Sequence, residues 1–252
     1  MSPVEALESR LSTLEPEARL AELLTRFGDG LRIASSFGLE DAVVVHLAAR
    51  AGKRVGVVPR VFMLDTGRLH AETYDLVERF RDTYAIPIAL YAPAAEDVET
   101  YTLTRGPNAF YRSRADREAC CAIRKVAPLG RALAGASAWV TGLRREQSDG
   151  RSGVRLVEDD AARPGVVKVS PLYDWTWDRL VAFAEQEGVP VHPLVAKGYP
   201  SIGCAPCTRA IAPEEHPRAG RWYWEAPDKK ECGIHKSPGD LSRGAEKKRR
   251  SA

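Results

Sequence analysis

Leucines and alanines recur at near-helical spacing over roughly the first 25 residues, among them Leu7, Leu11, Leu14, Leu20, Leu23 and Leu24. Pro16 falls inside this run and predicts two short helices instead of one. Short apolar runs then alternate with amphipathic stretches. Strands are expected at residues 32–37, 60–64, 86–91, 138–141 and 166–169, and helices at 40–51, 69–84 and 175–187. Residues 92–135 show no clear period and read as irregular. From Pro190 onward the chain is rich in Pro and Gly and reads as an extension of the same unit. Strands alternating with helices, with no internal repeat, predict an α/β fold with a mostly parallel sheet flanked by helices.

In an open sheet of this kind ligands bind at the carboxyl ends of strands, where loop amides and helix N-termini are free. Three polar motifs fall at such ends. They are Ser35-Ser36-Phe37-Gly38-Leu39-Glu40-Asp41, Leu64-Asp65-Thr66-Gly67, and Thr141-Gly142-Leu143-Arg144-Arg145-Glu146-Gln147-Ser148. Gly and Ser are common in any such turn, so one loop would say little. Three at successive strand ends point to a nucleotide site.

The five cysteines are grouped: Cys120 and Cys121 adjacent, Cys204 and Cys207 as C-x-x-C, and Cys232 alone near the C-terminus. An odd number argues against a simple disulfide framework. Four thiolates in two pairs suit a tetrahedral sulfur site, either zinc or an iron–sulfur cluster. The adjacent pair favours the cluster, because structural zinc ligands usually stand about two to four residues apart. His46 and His70, expected within helices, read as packing or surface residues, and His192 and His216 lack partners at metal-ligand spacing. Trp175 and Trp177 read as packing at a helix start, and Trp222 and Trp224 as packing beside the C-terminal segment.

Charge removes one class of function. The formal net charge is +3, but residues 236–252 hold six basic side chains against Asp240 and Glu246, which leaves the rest of the chain at −1. Such a body has no footprint for nucleic acid. The basic tail reads as disordered and solvating. No apolar run is long enough for a membrane span, and no signal-like N-terminus is apparent, so a cytoplasmic protein is expected.

These motifs, together with Glu231-Cys232-Gly233-Ile234-His235, give the chain its likeness: from about Ile33 to His235 it resembles the phosphosulfate/adenylyl-sulfate reductase family. The Cys-Cys plus C-x-x-C set is similar to the cluster-bearing branch, which acts on adenosine 5′-phosphosulfate (APS). The branch without those cysteines uses the 3′-phosphorylated substrate, PAPS. The resemblance implies an adenine-nucleotide alpha-hydrolase-like (PP-loop-like) fold, a single reductase domain over 1–235 with a mobile catalytic segment at about 208–235, and the tail at 236–252. It implies one 4Fe–4S cluster per chain on Cys120, Cys121, Cys204 and Cys207, structural and electrostatic in role and not an electron shuttle.

The implied reaction is thioredoxin-dependent reduction of APS to sulfite and AMP in sulfate assimilation and cysteine biosynthesis. Cys232 would attack the sulfo group, and thioredoxin or a similar dithiol protein would release sulfite. Lys229, Lys230 and His235 would favour the thiolate. Substrate contacts are expected from Ser35, Ser36, Gly38, Asp65, Thr66, Gly67, Lys125, Gly142, Arg144, Arg145, Arg218, Arg221 and His235, with Lys125 between cluster and substrate.

Relatives often carry a smaller residue at Leu39. Phe37 stands where ATP pyrophosphatases of this fold have a glycine, which argues against ATP cleavage. A PAPS reductase is the nearest alternative, and a zinc-binding regulatory module a distant one. The sequence leaves a homo-oligomer open.

Overall fold

Parallel strands buried on both faces need apolar residues without interruption, and β1 (Leu31–Ala34), β2 (Val61–Leu64) and β4 (Ala138–Val140) meet this requirement with Ile33, Val61, Phe62, Met63 and Val140 all buried. The computed structural model describes residues 2–226 and Ile234. With β3 (Ile88–Tyr91), β5 (Val157–Asp159) and β6 (Val167–Val169) they form one sheet in the order β3-β2-β1-β4-β6-β5. All pairings are parallel except β5 with β6. The chain builds outward from β1 through β2 to β3 on one side and then crosses to β4 on the other. The loops leaving β1 and β4 therefore diverge and open a crevice at the switch point.

Helix α1 (Pro3–Ser12) starts on a capping box between Ser2 and Glu5, and α2 (Pro16–Phe27) starts at Pro16, as the sequence predicted. The central helix α3 (Leu39–Val55) buries Ala42 to Ala48 without a break because α2 and α8 (Trp177–Gln186) pack on it. Helix α4 (Ala71–Tyr84) follows β2.

Residues 92–135 are not irregular. They hold α5 (Ala95–Arg105), α6 (Arg114–Cys121), a π-helical turn at Ala122–Val126 and α7 (Ala127–Ala132). Helix α5 buries only Tyr101 and leaves Leu103 87% exposed, so it has almost no apolar stripe to betray it. The π turn has a local cause. Pro128 has no N–H for the Arg124 carbonyl and its ring would crowd that carbonyl, so the backbone widens there. The edge strand β5 also escapes prediction: three residues, one inward face, and a charged start to the next loop.

His70 sits at the position just before α4 instead of lying within it, and its side chain makes no capping hydrogen bond. His46, His70 and His192 all have their pKa lowered, chiefly by burial. His46 shares a 2.8 Å hydrogen bond with Tyr84, and His192 one of 3.0 Å with Thr73. A base depressed on folding binds its proton more readily in the unfolded chain, so the stability these three contribute is complete above the unfolded value of 6.5 and is lost as pH falls below it. Thermal melts should therefore be flat from about pH 8 to 7 and fall steadily between pH 6.5 and 5; a melting point unchanged down to pH 5 would count against this account.

Candidate active site

The crevice at the switch point is a cavity of about 220 Å³ whose lining includes Ser35, Ser36, Gly38, Thr66, Gly142 and Lys125. The first loop is shaped by Phe37, which takes a left-handed backbone conformation at φ 57°. A non-glycine residue seldom adopts this and it is costly, so the surroundings must enforce it. They do so by burying the phenyl ring completely against Phe80. The loop thus keeps a glycine-like backbone while its side chain is an anchor in the core.

Asp41, not singled out as a site residue from the sequence, is the hub between two loops. One carboxylate oxygen accepts from the Ser36 amide and hydroxyl, both at 2.7 Å, and the other from the Gly142 amide at 3.0 Å. Burial raises its pKa and the Ser36 hydrogen bonds oppose that rise. Gly142 is required by this contact: a Cβ there would stand 2.4 Å from the Asp41 carboxylate and 3.0 Å from its backbone nitrogen.

The second loop turns on Asp65, whose carboxylate accepts from the Gly67 amide at 2.8 Å and the Tyr74 hydroxyl at 2.7 Å. Asp65 and Gly67 therefore shape the turn from outside the cavity lining, while Thr66 faces in. Two arginine expectations also change. Arg144 lines the cavity, but its guanidinium donates to Glu40 at 2.9 Å and to the Trp175 carbonyl at 2.9 Å, so it fastens the third loop to the start of α3. Arg145 does not line the cavity. Its Nε donates to the Val154 carbonyl at 2.9 Å and its guanidinium lies over Tyr173. Arg151, Gln147 and Trp139 line the cavity instead. Arg151 follows the recognised motif by three residues, so motif reading stopped short of it.

Arg218 and Arg221 both line the cavity. Arg221 donates to the Ile202 carbonyl at 3.0 Å, and its Nε is buried without a partner. Gly203 leaves room for this guanidinium, since a Cβ there would stand 2.2 Å from it. Cys232 and His235 lie outside the described residues, as do Lys229, Lys230 and the tail at 236–252. Ile234, two positions after Cys232, lines the cavity.

A second, smaller cavity adjoins the first and is lined by Cys120, Cys121, Cys204 and Cys207, none of them in a disulfide. Cys204 and Cys207 are buried with Phe110 and Trp222, half-buried Cys120 packs against them, and Cys121 is buried as well. Arg68, Arg117, Arg124 and Lys125 line the same cavity. Burial, followed by the neighbouring Cys204, pushes the Cys207 thiol up to about 12, and burial raises Cys120 too. Arg124 donates to the Thr66 carbonyl at 2.6 Å but leaves its buried Nε without a partner. Among the described residues, no three His, Cys, Asp or Glu side chains are placed to hold a single metal ion.

Two residues join the cavities. Lys125 lines both, and the Thr66 hydroxyl is 3.2 Å from the Cys204 sulfur.

Residues 30–210 match the model of the phosphoadenosine phosphosulfate reductase domain. The chain belongs to the phosphoadenosine phosphosulfate reductase family. A relative from Burkholderia cepacia named adenosine 5′-phosphosulfate reductase is 49% identical over 220 residues, 86% of either chain. A crystal structure of phosphoadenylyl-sulfate (PAPS) reductase from Candida auris superposes with a TM-score of 0.69 over 84% of this chain and 98% of that one, at 24% identity. Yeast FAD synthetase superposes with a TM-score of 0.57 at 14% identity, covering 83% of this chain and 69% of its own. The fold is thus the PP-loop, adenine-nucleotide alpha-hydrolase type. Membership of the reductase family replaces the regulatory-module alternative. Among the described residues, no helix is long and apolar enough to cross a membrane.

Proposed function

We propose that this chain reduces APS to sulfite and AMP, with Cys232 as the nucleophile. The observation that carries this reading is the junction of the two cavities at Lys125, with Ile234 of the Cys232 motif lining the larger one. In the first step the Cys232 thiolate attacks the sulfo sulfur. A sulfur–sulfur bond forms, the bond from sulfur to the phosphate oxygen breaks, and AMP leaves with that electron pair. In the second step a dithiol protein, thioredoxin or one like it, attacks the Cys232 sulfur. Sulfite leaves with the bonding pair, the dithiol becomes a disulfide, and Cys232 regains its thiolate.

The chain's own residues suit the first step. The Ser35 and Thr66 hydroxyls and the Gly38 amide can hold the phosphate at the N-terminal end of α3, in a loop whose Ser36 amide and hydroxyl are held by Asp41. Lys125 and Arg218 supply cations where charge moves to the leaving phosphate. Asp41 and the Glu40–Arg144 pair keep the first and third loops in register.

The four cysteines fit a 4Fe–4S cluster. The Cys207 and Cys120 thiols, both raised by burial, stay protonated there unless a cation takes the proton's position. The partnerless Arg124 Nε and the surrounding cations suit an anionic group. Four cysteines lining one cavity suit a cubane, which takes one thiolate at each iron. When bound, the cluster supplies a fixed electrostatic and structural centre and no electrons for turnover. Residues 1–235 are read as one reductase domain, and the cytoplasm as its compartment.

The test is sulfite release from APS and from PAPS, side by side with thioredoxin, on anaerobically purified protein. Faster release from APS is expected. Preference for PAPS would keep the fold and nucleophile and break the link between the cysteine set and the unphosphorylated substrate, and sulfite from neither would overturn the proposal.

A further inference from the structure

One buried ion pair, Arg117 with Glu225, lies outside the lining of the larger cavity. Arg117 lies on α6, one helical turn before Cys120, with its side chain 1% exposed. Its Nε donates to one carboxylate oxygen of Glu225 at 2.7 Å and its Nη2 to the other at 3.0 Å. The guanidinium also lies over the Trp222 indole, 4.6 Å from the ring centre, and hydrogen-bonds the Cys121 side chain. Glu225 is 11% exposed, and its amide donates to the Trp222 carbonyl at 2.9 Å. The Trp222 amide in turn donates to the Cys207 carbonyl at 3.1 Å. One guanidinium therefore touches the cysteine-bearing helix, the turn after the C-x-x-C loop, and the carboxylate from which the chain departs toward Cys232.

The far end of that departure is also fixed. Ile234 packs against the apolar clusters around Leu129 and Trp139 and around Phe110 and Trp222. Eight residues separate Glu225 from Ile234, and Cys232 is among them. A buried ion pair adds little net stability over apolar residues of the same size, because desolvation offsets the attraction. What a two-pronged arginine–carboxylate contact does provide is a fixed angle and register.

We propose that Arg117 and Glu225 are positioning residues for the nucleophile: their ion pair fixes the upstream end of the Cys232 segment to the helix that bears Cys120 and Cys121. This rests on the reading of Cys232 as the nucleophile. Cys232 must meet the sulfo group at a defined distance and angle, and small misplacement of a reacting group is costly in rate. The pair would thus act on the attack step and not on nucleotide affinity.

The test uses full-length, anaerobically purified protein carrying Glu225→Gln or Glu225→Asp. APS is added without any thiol donor, and the sulfo group gained by Cys232 is followed by intact mass and peptide mapping. AMP affinity by calorimetry and the visible absorbance of the protein are measured alongside. Glu225→Gln should slow sulfonation by roughly 10- to 100-fold with AMP affinity and absorbance unchanged. Glu225→Asp, which keeps the charge but shortens the reach, should fall between it and the parent.

Sulfonation of Glu225→Gln at the parent rate overturns the proposal while leaving the nucleophile in place. So does a loss of rate accompanied by lost absorbance or AMP affinity, since that assigns the pair to holding the fold. If Glu225→Gln does not fold, Glu225→Asp decides on the same measurements. A parent protein that gains no sulfo group on Cys232 overturns the nucleophile and, with it, this inference.

Discussion

Exchanging Cys232 for serine is expected to end sulfite release from APS, with turnover falling by roughly a thousandfold or more, while AMP still binds. A serine hydroxyl is only negligibly ionised near neutrality, so the attack on sulfur loses its nucleophile. No other thiol is suited to replace it. Cys121, Cys204 and Cys207 are buried, Cys207 is pushed up to about 12, and burial also raises the half-buried Cys120. Binding should survive because the groups that would hold the phosphate belong to the β1 and β2 loops, which Asp41 and Asp65 secure independently of the C-terminal segment. The measurement is sulfite release together with intact mass after APS is added without reductant. A sulfo group found on any of the other four cysteines of Cys232→Ser, or retained turnover, would remove Cys232 from its role.

The architecture was legible because its strands are short apolar runs separated by helices, a pattern that survives any particular packing. What stayed hidden has physical causes. Helices α5 and α6 carry few buried apolar positions, so periodicity could not announce them; α6 buries only Arg117 and Cys121. Motif reading located the loops correctly but could not say which side chains are spent inside them. Arg144 looks like a phosphate ligand in sequence, yet Glu40, an acid in the first turn of α3, already claims its charge. Asp65 and Gly67 belong to a recognisable motif and serve its turn, while the neighbouring Thr66 faces the cavity. Asp41 was visible only as one letter of a motif, because its role depends on Gly142, a partner 101 residues away. The cysteine set was the most legible feature, since reactive residue types in two close pairs constrain chemistry more than any turn does.

That set leads to the second large effect. Replacing Cys204 by serine should cost the protein its iron and visible absorbance, abolish sulfite release, and lower Tm by about 6–12 °C for a loss of roughly 3 kcal/mol. The fall follows from charge as much as from the lost ligand. Arg68, Arg117, Arg124 and Lys125 line the cysteine cavity, and Arg221 stands close enough to act on Cys207. Glu225 pairs with Arg117. On the proposed assignment, four thiolates around an iron–sulfur core would offset these cations; protonated thiols would not, and the cations would then repel one another in a poorly solvated place. The damage would also reach the larger cavity directly. Cys204 sits 3.2 Å from the Thr66 hydroxyl, and the amide after it, at Ala205, donates to the Arg68 carbonyl at 2.8 Å. Disorder at Cys204 thus moves the β2 loop that would hold substrate, so activity should fall even though no substrate-facing residue was changed. Iron analysis, absorbance and thermal melts on anaerobically purified Cys204→Ser decide the matter. Full iron content with an unchanged Tm would show that Cys204 is no ligand, and a colourless parent protein holding zinc would overturn the cluster assignment itself.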